Sequence, residues 1–130
     1  MNHLLDNTRR HDITFNVSGR IEISARATRA LDLHPGDVID VAIDEVRREC
    51  YLYIKHRAEK LSGRHKAQCH VTNSRVKKCN SLRAHSVELC RQMLDMRGYS
   101  AIQARLPVGD LIEIPGIGKA LPIIIRFKSS

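Results

Sequence analysis

The chain has 130 residues and a formal net charge of +8, with 42% hydrophobic and only 4% aromatic residues. This length suits one compact domain, or two small ones that share a core, and the scarcity of aromatic residues predicts an aliphatic core. No apolar run approaches the roughly 20 residues of a membrane span, and nothing resembles a signal peptide. We therefore expect a cytoplasmic protein with no membrane partner.

The positive charge is concentrated in the second half of the chain. Residues 1–62 contain ten Lys/Arg and ten Asp/Glu, whereas residues 63–130 contain twelve and four. Charge polarised in this way is typical of proteins with an anionic partner, and nucleic acid is the first candidate. The alternative is that the charge serves only solubility.

The first half predicts the order strand, strand, helix, strand, strand. Residues 1–11 are expected to be a loose end. Alternating apolar residues predict strands at 13–17 and 20–23, followed by a short helix at 25–31 with Ser24 as its N-cap. The helix residues expected to face inward are Ala27, Ala30 and Leu31, and those expected on another face are Arg26 and Arg29.

A Pro-Gly-Asp turn separates this helix from the next strand pair. Leu33-His34-Pro35-Gly36-Asp37 precedes an alternating strand, and a similar phrase returns as Leu106-Pro107-Val108-Gly109-Asp110. In each copy the glycine is expected to adopt a backbone angle that other residues resist, and the aspartate to bond nearby amides. Two such phrases, each followed by a strand pair, predict a duplicated supersecondary unit.

The second half predicts the same order of elements. Strands are expected at 66–71 and 81–85, then a helix from Val87 to Arg97 capped by Ser86, and finally a hairpin. A helix that begins already at Leu82 is the alternative.

The sequence accordingly divides into two units of a mainly β, α+β chain. The first unit spans 12–57, a polar linker 58–65, and the second unit 66–128, with both units sharing one core.

Residues 12–56 resemble the AbrB/MazE-type swapped-hairpin family. The likeness rests on Gly19-Arg20-Ile21-Glu22-Ile23, on Arg29-Ala30-Leu31 in a short helix, and on Leu33-His34-Pro35-Gly36-Asp37-Val38-Ile39-Asp40-Val41. That family comprises small DNA-binding regulators and antitoxins in which two ββαββ chains interlock into one barrel. It belongs with the cradle-loop barrels, whose duplicated members carry a Gly-Asp box in each half.

The resemblance implies a cradle-loop, AbrB-like β-barrel made of two ββαββ halves in this single chain. It also implies that Arg20 and Arg29 occupy DNA-contacting positions, while the helix position beside Arg29 that often holds a second arginine is Thr28 here. Because the second half would replace a second chain, we expect a monomer, with a homodimer as the alternative.

The second half adds a basic turn at 73–80 that can neutralise phosphates. Few aromatic residues accompany its cations, which favours duplex DNA over stacked single strands. The complete predicted DNA-binding set is Arg20, Arg29, Arg75, Lys77, Lys78 and Arg83.

No residue pattern predicts catalysis, a cofactor or a metal site. The four cysteines form no C-x-x-C pair and are expected to be buried thiols; a metal site formed by Cys69, His70, Cys79, His85 and Cys90 is the alternative. Gly116-Ile117-Gly118-Lys119 lacks the spacing of a phosphate loop and predicts a hairpin turn. The sequence thus predicts a non-enzymatic DNA-binding transcriptional regulator or antitoxin-like protein. The alternative is a non-catalytic interaction module for an acidic protein.

Overall fold

In the computed structural model the described residues are 12–60, 65–71, 81–96 and 102–125. They form nine strands and two α-helices, so the chain is mainly β with α+β character. The strands are β1 (Ile13–Asn16), β2 (Arg20–Ile23), β3 (Val38–Asp44), β4 (Glu49–His56), β5 (His70–Val71), β6 (Leu82–His85), β7 (Gln103–Leu106), β8 (Ile112–Ile114) and β9 (Gly118–Ile123). The helices are α1 (Ala25–Leu31) and α2 (Val87–Asp95), and Ala58–Lys60 form one 3-10 turn.

The strands make two antiparallel sheets, and both halves of the chain contribute to each. Sheet A has the order β5-β6-β2-β1-β7, and sheet B has the order β3-β4-β9-β8. Isolated bridges between Val38 and Gln68 and between Val108 and Ile123 link the sheets at two corners. The described strands are divided between these sheets and do not form a closed barrel.

The alternating patterns produce one aliphatic core between the sheets. The inner positions of β1 and β2 are almost fully buried, as predicted, and they meet apolar residues from the inner face of sheet B. Members of this core are Ile13, Phe15, Ile21, Ile23, Ile39, Val41, Leu52, Leu82, Leu121 and Ile123.

Both helices begin at the predicted serine caps. The Ser24 Oγ accepts a hydrogen bond from the Ala27 amide at 3.1 Å, and the Ser86 Oγ accepts one from the Leu89 amide at 3.2 Å. Because Leu82–His85 pair with β2 as strand β6, the alternative of a helix from Leu82 is wrong.

Helix α1 differs from the prediction on its inner side. Ala27 and Leu31 are buried, but Ala30 is exposed and Thr28 is buried in its place. The Thr28 hydroxyl has no hydrogen-bond partner within the described residues. In helix α2, the predicted apolar stripe of Leu89, Cys90, Met93 and Leu94 is buried.

The two Gly-Asp phrases do not form the same turn. Gly36 has a φ of 94°, and the buried Asp37 carboxylate accepts hydrogen bonds from the backbone amides of His34 and Ala58, both at 2.8 Å. Gly109 instead stays outside the left-handed region; its amide donates to the Pro122 carbonyl at 2.8 Å, and Asp110 is exposed. The prediction of two equivalent boxes is therefore wrong, because the second phrase remains extended alongside β9.

The predicted strand at 66–71 is also shorter than expected. Only His70–Val71 form a strand, because Ala67 has a φ of 58° and departs from extended geometry. The Ala67 amide donates a hydrogen bond to the His85 carbonyl in sheet A, and the Ala67 carbonyl accepts one from the Ile39 amide in sheet B. Among the described residues, neither helix is long and apolar enough to cross a membrane.

Candidate nucleic-acid interface

The outward side of sheet A carries a polar surface that the register of its strands assembles. Strand alternation buries every second residue and turns the others to solvent. One row across the sheet contains His70, Arg83, Glu22, Thr14 and Arg105. The next row contains His85, Arg20, Asn16 and Gln103. We call these nine residues the arginine face.

A chain of hydrogen bonds fixes one side of the arginine face. The Arg105 Nε donates to the Gln103 Oε1 at 2.9 Å, and the Gln103 Nε2 donates to the Asn16 Oδ1 at 2.7 Å. The Asn16 Nδ2 in turn donates to the Arg20 carbonyl at 3.0 Å. These bonds reduce the side-chain entropy that Arg105 would lose on binding a ligand.

The arginine face is cationic, with three arginines against one carboxylate. Glu22 is that carboxylate, and its Oε2 lies 3.6 Å from the Arg20 Nη2. Both side chains are about half exposed, so solvent screens the pair and it contributes little stability. Arg83 and Arg105 form no ion pair within the described residues.

Gly19 allows the β1–β2 turn to sit close to the start of α2. It has a φ of 103°, and a Cβ there would lie 2.7 Å from the Val87 Cγ2 and 2.8 Å from the His85 Nε2. Only glycine fits this close approach without displacing either side chain. The glycine thus holds Arg20 directly opposite His85 in the arginine face.

The structure brings together two residues of the predicted DNA-binding set. Arg20 and Arg83 are diagonal neighbours on β2 and β6, whereas Arg29 lies exposed on helix α1, away from this surface. The neighbouring Thr28 faces the core, so α1 presents one arginine there.

The other predicted residues, Arg75, Lys77 and Lys78, lie outside the described residues, as does the expected loose end at 1–11. Val71 and Leu82, which flank the basic turn, are paired at the end of sheet A opposite the β1–β2 turn.

Arg105 is not among the six residues of the predicted DNA-binding set. The signal was present as alternation in Gln103-Ala104-Arg105-Leu106, where Ala104 and Leu106 are buried. The strand that pairs with β7 could not be predicted from the sequence, because it is β1, some 90 residues earlier in the chain.

Arg26 has a structural role that sequence alone did not indicate. Its Nη2 lies 2.7 Å from the Oδ2 of the buried Asp12 and also donates to the Val108 carbonyl at 3.2 Å. Burial alone would raise the pKa of Asp12, but hydrogen bonds from Arg26, Val108 and Ser24 outweigh it and hold the pKa below its ordinary value. Arg26 thereby ties α1 to Asp12, just before β1, and to Val108 in the segment after β7, and it is not part of the arginine face.

The excess positive charge of the chain lies outside the described residues. Those residues contain 13 Lys/Arg and 13 Asp/Glu, and the remainder contains nine and one, which gives the chain's +8. The described part of the chain is therefore neutral as a whole, and some of its arginines pair with carboxylates, as Arg20 does with Glu22 and Arg26 with Asp12.

The described cysteines are buried thiols. Burial raises the pKa of Cys50 to about 11 and that of Cys69 to about 12, with the nearby Asp37 carboxylate adding to the second shift. Cys90 is also buried, and Cys79 lies outside the described residues. In the part of the chain that the structure describes, no three His, Cys, Asp or Glu residues are arranged to hold a metal ion.

Comparisons of the chain with protein-family models, with curated proteins and with solved structures gave no significant match.

Proposed function

We propose that the protein is a DNA-binding regulator, of the transcriptional or antitoxin-like kind, that holds duplex DNA through the arginine face. The observation that carries this proposal is the placement of Arg20, Arg83 and Arg105 on the solvent-facing side of sheet A, where Glu22 is the one carboxylate among the nine residues. Arginine suits phosphate because its planar fork donates two parallel hydrogen bonds.

The spacing of the arginines matches the duplex. Arg83 and Arg105 lie three strand spacings apart across sheet A, which is about 14 Å between their backbones. The major groove of B-DNA is about 12 Å wide. Two arginine side chains at that distance can reach phosphates on both sides of the groove, and none of the nine residues is Phe, Tyr or Trp, which favours backbone contact over base stacking.

The sequence between β5 and β6 supports the same proposal. Arg75, Lys77 and Lys78 fall between Val71 and Leu82, the pair beside Arg83 at the edge of sheet A. Cations attached at this edge would extend the contact along the DNA backbone and steepen its dependence on salt.

We also propose that the two sheets belong to one AbrB-like cradle-loop barrel made of two ββαββ halves in a monomeric chain. Corresponding strands of the halves pair with each other, as β2 with β6 and β4 with β9, and the two corner bridges join the sheets. Strand β7 is the addition that such a duplication does not account for.

The decisive experiment measures binding of the full chain to a fluorescent 20-base-pair duplex by anisotropy across a salt series. Removing two phosphate contacts by Arg83→Gln with Arg105→Gln should weaken binding and reduce the slope of log K against log salt by about 1.8. The matched control, Arg47→Gln with Arg91→Gln, removes equal charge from exposed sites off the arginine face and should leave the slope nearly unchanged.

A second pair of variants tests which part of the chain contributes most to DNA affinity. Lys77→Ala with Lys78→Ala should cost more DNA affinity than Arg20→Ala with Arg29→Ala, because the turn at 73–80 carries three cations whereas the β1–β2 turn carries one, Arg20. Equal affinity of the lysine variant and the parent would place the contact elsewhere. If the full chain binds no duplex even at low salt, the alternative of an acidic protein partner on the arginine face is favoured.

A further inference from the structure

The free edge of strand β3 faces helix α2 across an open groove. Strand β3 is the last strand of sheet B, so β4 is its one strand neighbour among the described residues. A cavity of about 460 Å³ lies along this edge, and both β3 and the beginning of α2 line it. Its apolar part is formed by Val41 and Ile43 of the strand and Leu89 of the helix, with Gln92 beside them. We call this cavity the edge groove.

Backbone groups of β3 point toward the edge groove. The Ile39 amide donates to the Ala67 carbonyl at 3.0 Å, so the N–H of residue 39 points away from β4. Because backbone groups alternate sides along a strand, the N–H and C=O groups of Val41 and Ile43 point the same way. No strand lies beside these two residues on that side in the described part of the chain. Their backbone groups can therefore pair with an added strand, as exposed sheet edges do with extended peptides.

The edge groove is closed at one end. Ala67 bonds to Ile39 there, and Gln68 is bridged to Val38, so the edge of β3 is already occupied as far as residue 39. The Ala67 amide bonds in turn to the carbonyl of His85, two residues before α2. A strand added further along β3 cannot continue past this point. The groove therefore fits the end of a chain better than the middle of one.

Two lysines line the closed end of the edge groove. Lys66 directly precedes Ala67, and Lys55 follows Ile54, which pairs with Ile39. Neither lysine forms an ion pair within the described residues. The N-terminus of α2 lies at the same end, and it adds the positive end of the helix dipole.

A carboxylate oxygen already accepts a hydrogen bond from this edge in the free protein. The Asp40 Oδ1 accepts from the Val41 amide at 2.8 Å, and the Asp40 Oδ2 accepts from the Tyr53 hydroxyl at 3.3 Å. The other carboxylate that lines the groove is the exposed Glu88. A carboxylate thus fits against the outward amide of Val41, and a carboxylate from a partner would take the place of Asp40 there.

We propose that the edge groove binds the C-terminal end of a partner polypeptide as a strand antiparallel to β3. In this direction the terminal carboxylate reaches the closed end beside Lys55 and Lys66, whereas a parallel strand would bring an ammonium group there. The terminal residue pairs with Val41, and the residue two positions before it pairs with Ile43. Their side chains lie on the inner side of the sheet, toward Leu89, so both residues of the partner are expected to be apolar.

The test uses the full chain and the acetylated peptide Ser-Thr-Val-Thr-Val with a free C-terminal carboxylate, followed by backbone amide NMR. We expect shifts confined to residues 39–43, 66–68 and 88–92, and slower hydrogen exchange of the Ile43 amide. The same peptide with a C-terminal amide should bind about tenfold more weakly. A peptide extended by two C-terminal glycines should not bind, because the closed end leaves no room for them.

Methylation of single peptide nitrogens tests the strand pairing. N-methylation of the terminal valine removes the donor that bonds to the Val41 carbonyl and should lower affinity about tenfold. N-methylation of the threonine before it is the matched control. That amide points away from β3, so its methylation should lower affinity much less.

Variants of the chain test the closed end. Lys55→Gln with Lys66→Gln should weaken binding of the free-acid peptide about three- to tenfold and leave the amidated peptide unchanged. The control Arg47→Gln with Lys119→Gln removes equal charge from exposed positions outside the edge groove. Asp40→Ala removes the competing acceptor and a negative charge, so it should tighten binding of the free-acid peptide.

Four outcomes would overturn the proposal: no binding of the free-acid peptide, equal affinity of the acid and the amide, equal losses in the two charge variants, or shifts centred on another surface. Self-association of the chain alone that protects the Ile43 amide from exchange would also overturn it, because a second copy would then occupy the edge.

Discussion

Replacing Gly36 and Gly109 separately by alanine distinguishes the two Gly-Asp phrases, which look alike in sequence. At Gly36 the φ of 94° would cost a side-chain-bearing residue about 1–2 kcal/mol. The new Cβ would also lie 2.8 Å from the Cβ of Ala58, and overpacking of this kind costs about 1–3 kcal/mol. Against this, alanine restricts the unfolded chain and returns about 0.4–1 kcal/mol. Gly36→Ala should therefore lower the free energy of unfolding by about 3 kcal/mol.

Gly109→Ala should have almost no effect or a small stabilising one. The closest atom to its added Cβ is the Pro122 Cγ at 3.6 Å, an ordinary contact, and the backbone is outside the left-handed region. Thermal unfolding followed by circular dichroism measures both variants, and Gly36→Ala is expected to lower Tm by about 10 °C. Equal losses in the two variants would refute the inequivalence of the phrases, and so would a tolerated alanine at position 36.

Three further outcomes are expected. The pKa of Asp12 is lower in the folded protein than in the unfolded chain, so the ionised carboxylate stabilises the fold above about pH 4 and this stabilisation disappears as the pH falls through the folded-state pKa. Asp12→Asn should therefore reduce the loss of Tm in acid. An unchanged dependence of Tm on pH would contradict this. A fragment of residues 1–62 should sediment as a dimer or be unfolded while the full chain is monomeric, because β1 and β2 lose β7 and β6; a folded monomeric fragment would argue against this. The thiols of Cys50 and Cys69 should react slowly with a disulfide reagent at about pH 8 until the chain unfolds, and rapid labelling located there by mass spectrometry would contradict their burial.

Features that depend on neighbours in sequence were predictable. Ser24 and Ser86 cap their helices because the bond joins residues three apart, and the inward positions of β1 and β2 follow from alternation alone. The short strand β6 was chosen over a longer helix for the same local reason, with Ser86 as a cap.

Features that depend on distant residues were not predictable. Nothing near Gly109 indicates that its amide bonds to Pro122, and that contact decides whether the second phrase turns as the first does. Arg26 was expected to share with Arg29 a face of α1 other than the inward one, but its role is set by Asp12 and by Val108, 82 residues further on.

The candidate site shows the same division. Alternation predicts that Arg20 and Arg83 point to solvent, yet only the pairing of Ile21 with Ala84 makes them neighbours. Arg105 joins them because β7 crosses back to β1, a pairing that the sequence does not encode in any local pattern.

The return of β7 to β1 also sets the order of events during synthesis. Ile13 pairs with Leu106, so β1 lacks its second neighbour in sheet A until 93 further residues have been made. At about 5–20 residues per second this interval is roughly 5 to 20 s, much longer than the microseconds in which a hairpin forms. The β1–β2 hairpin can therefore form long before β7 exists, and the open edge of β1 is completed only late in the synthesis of the chain.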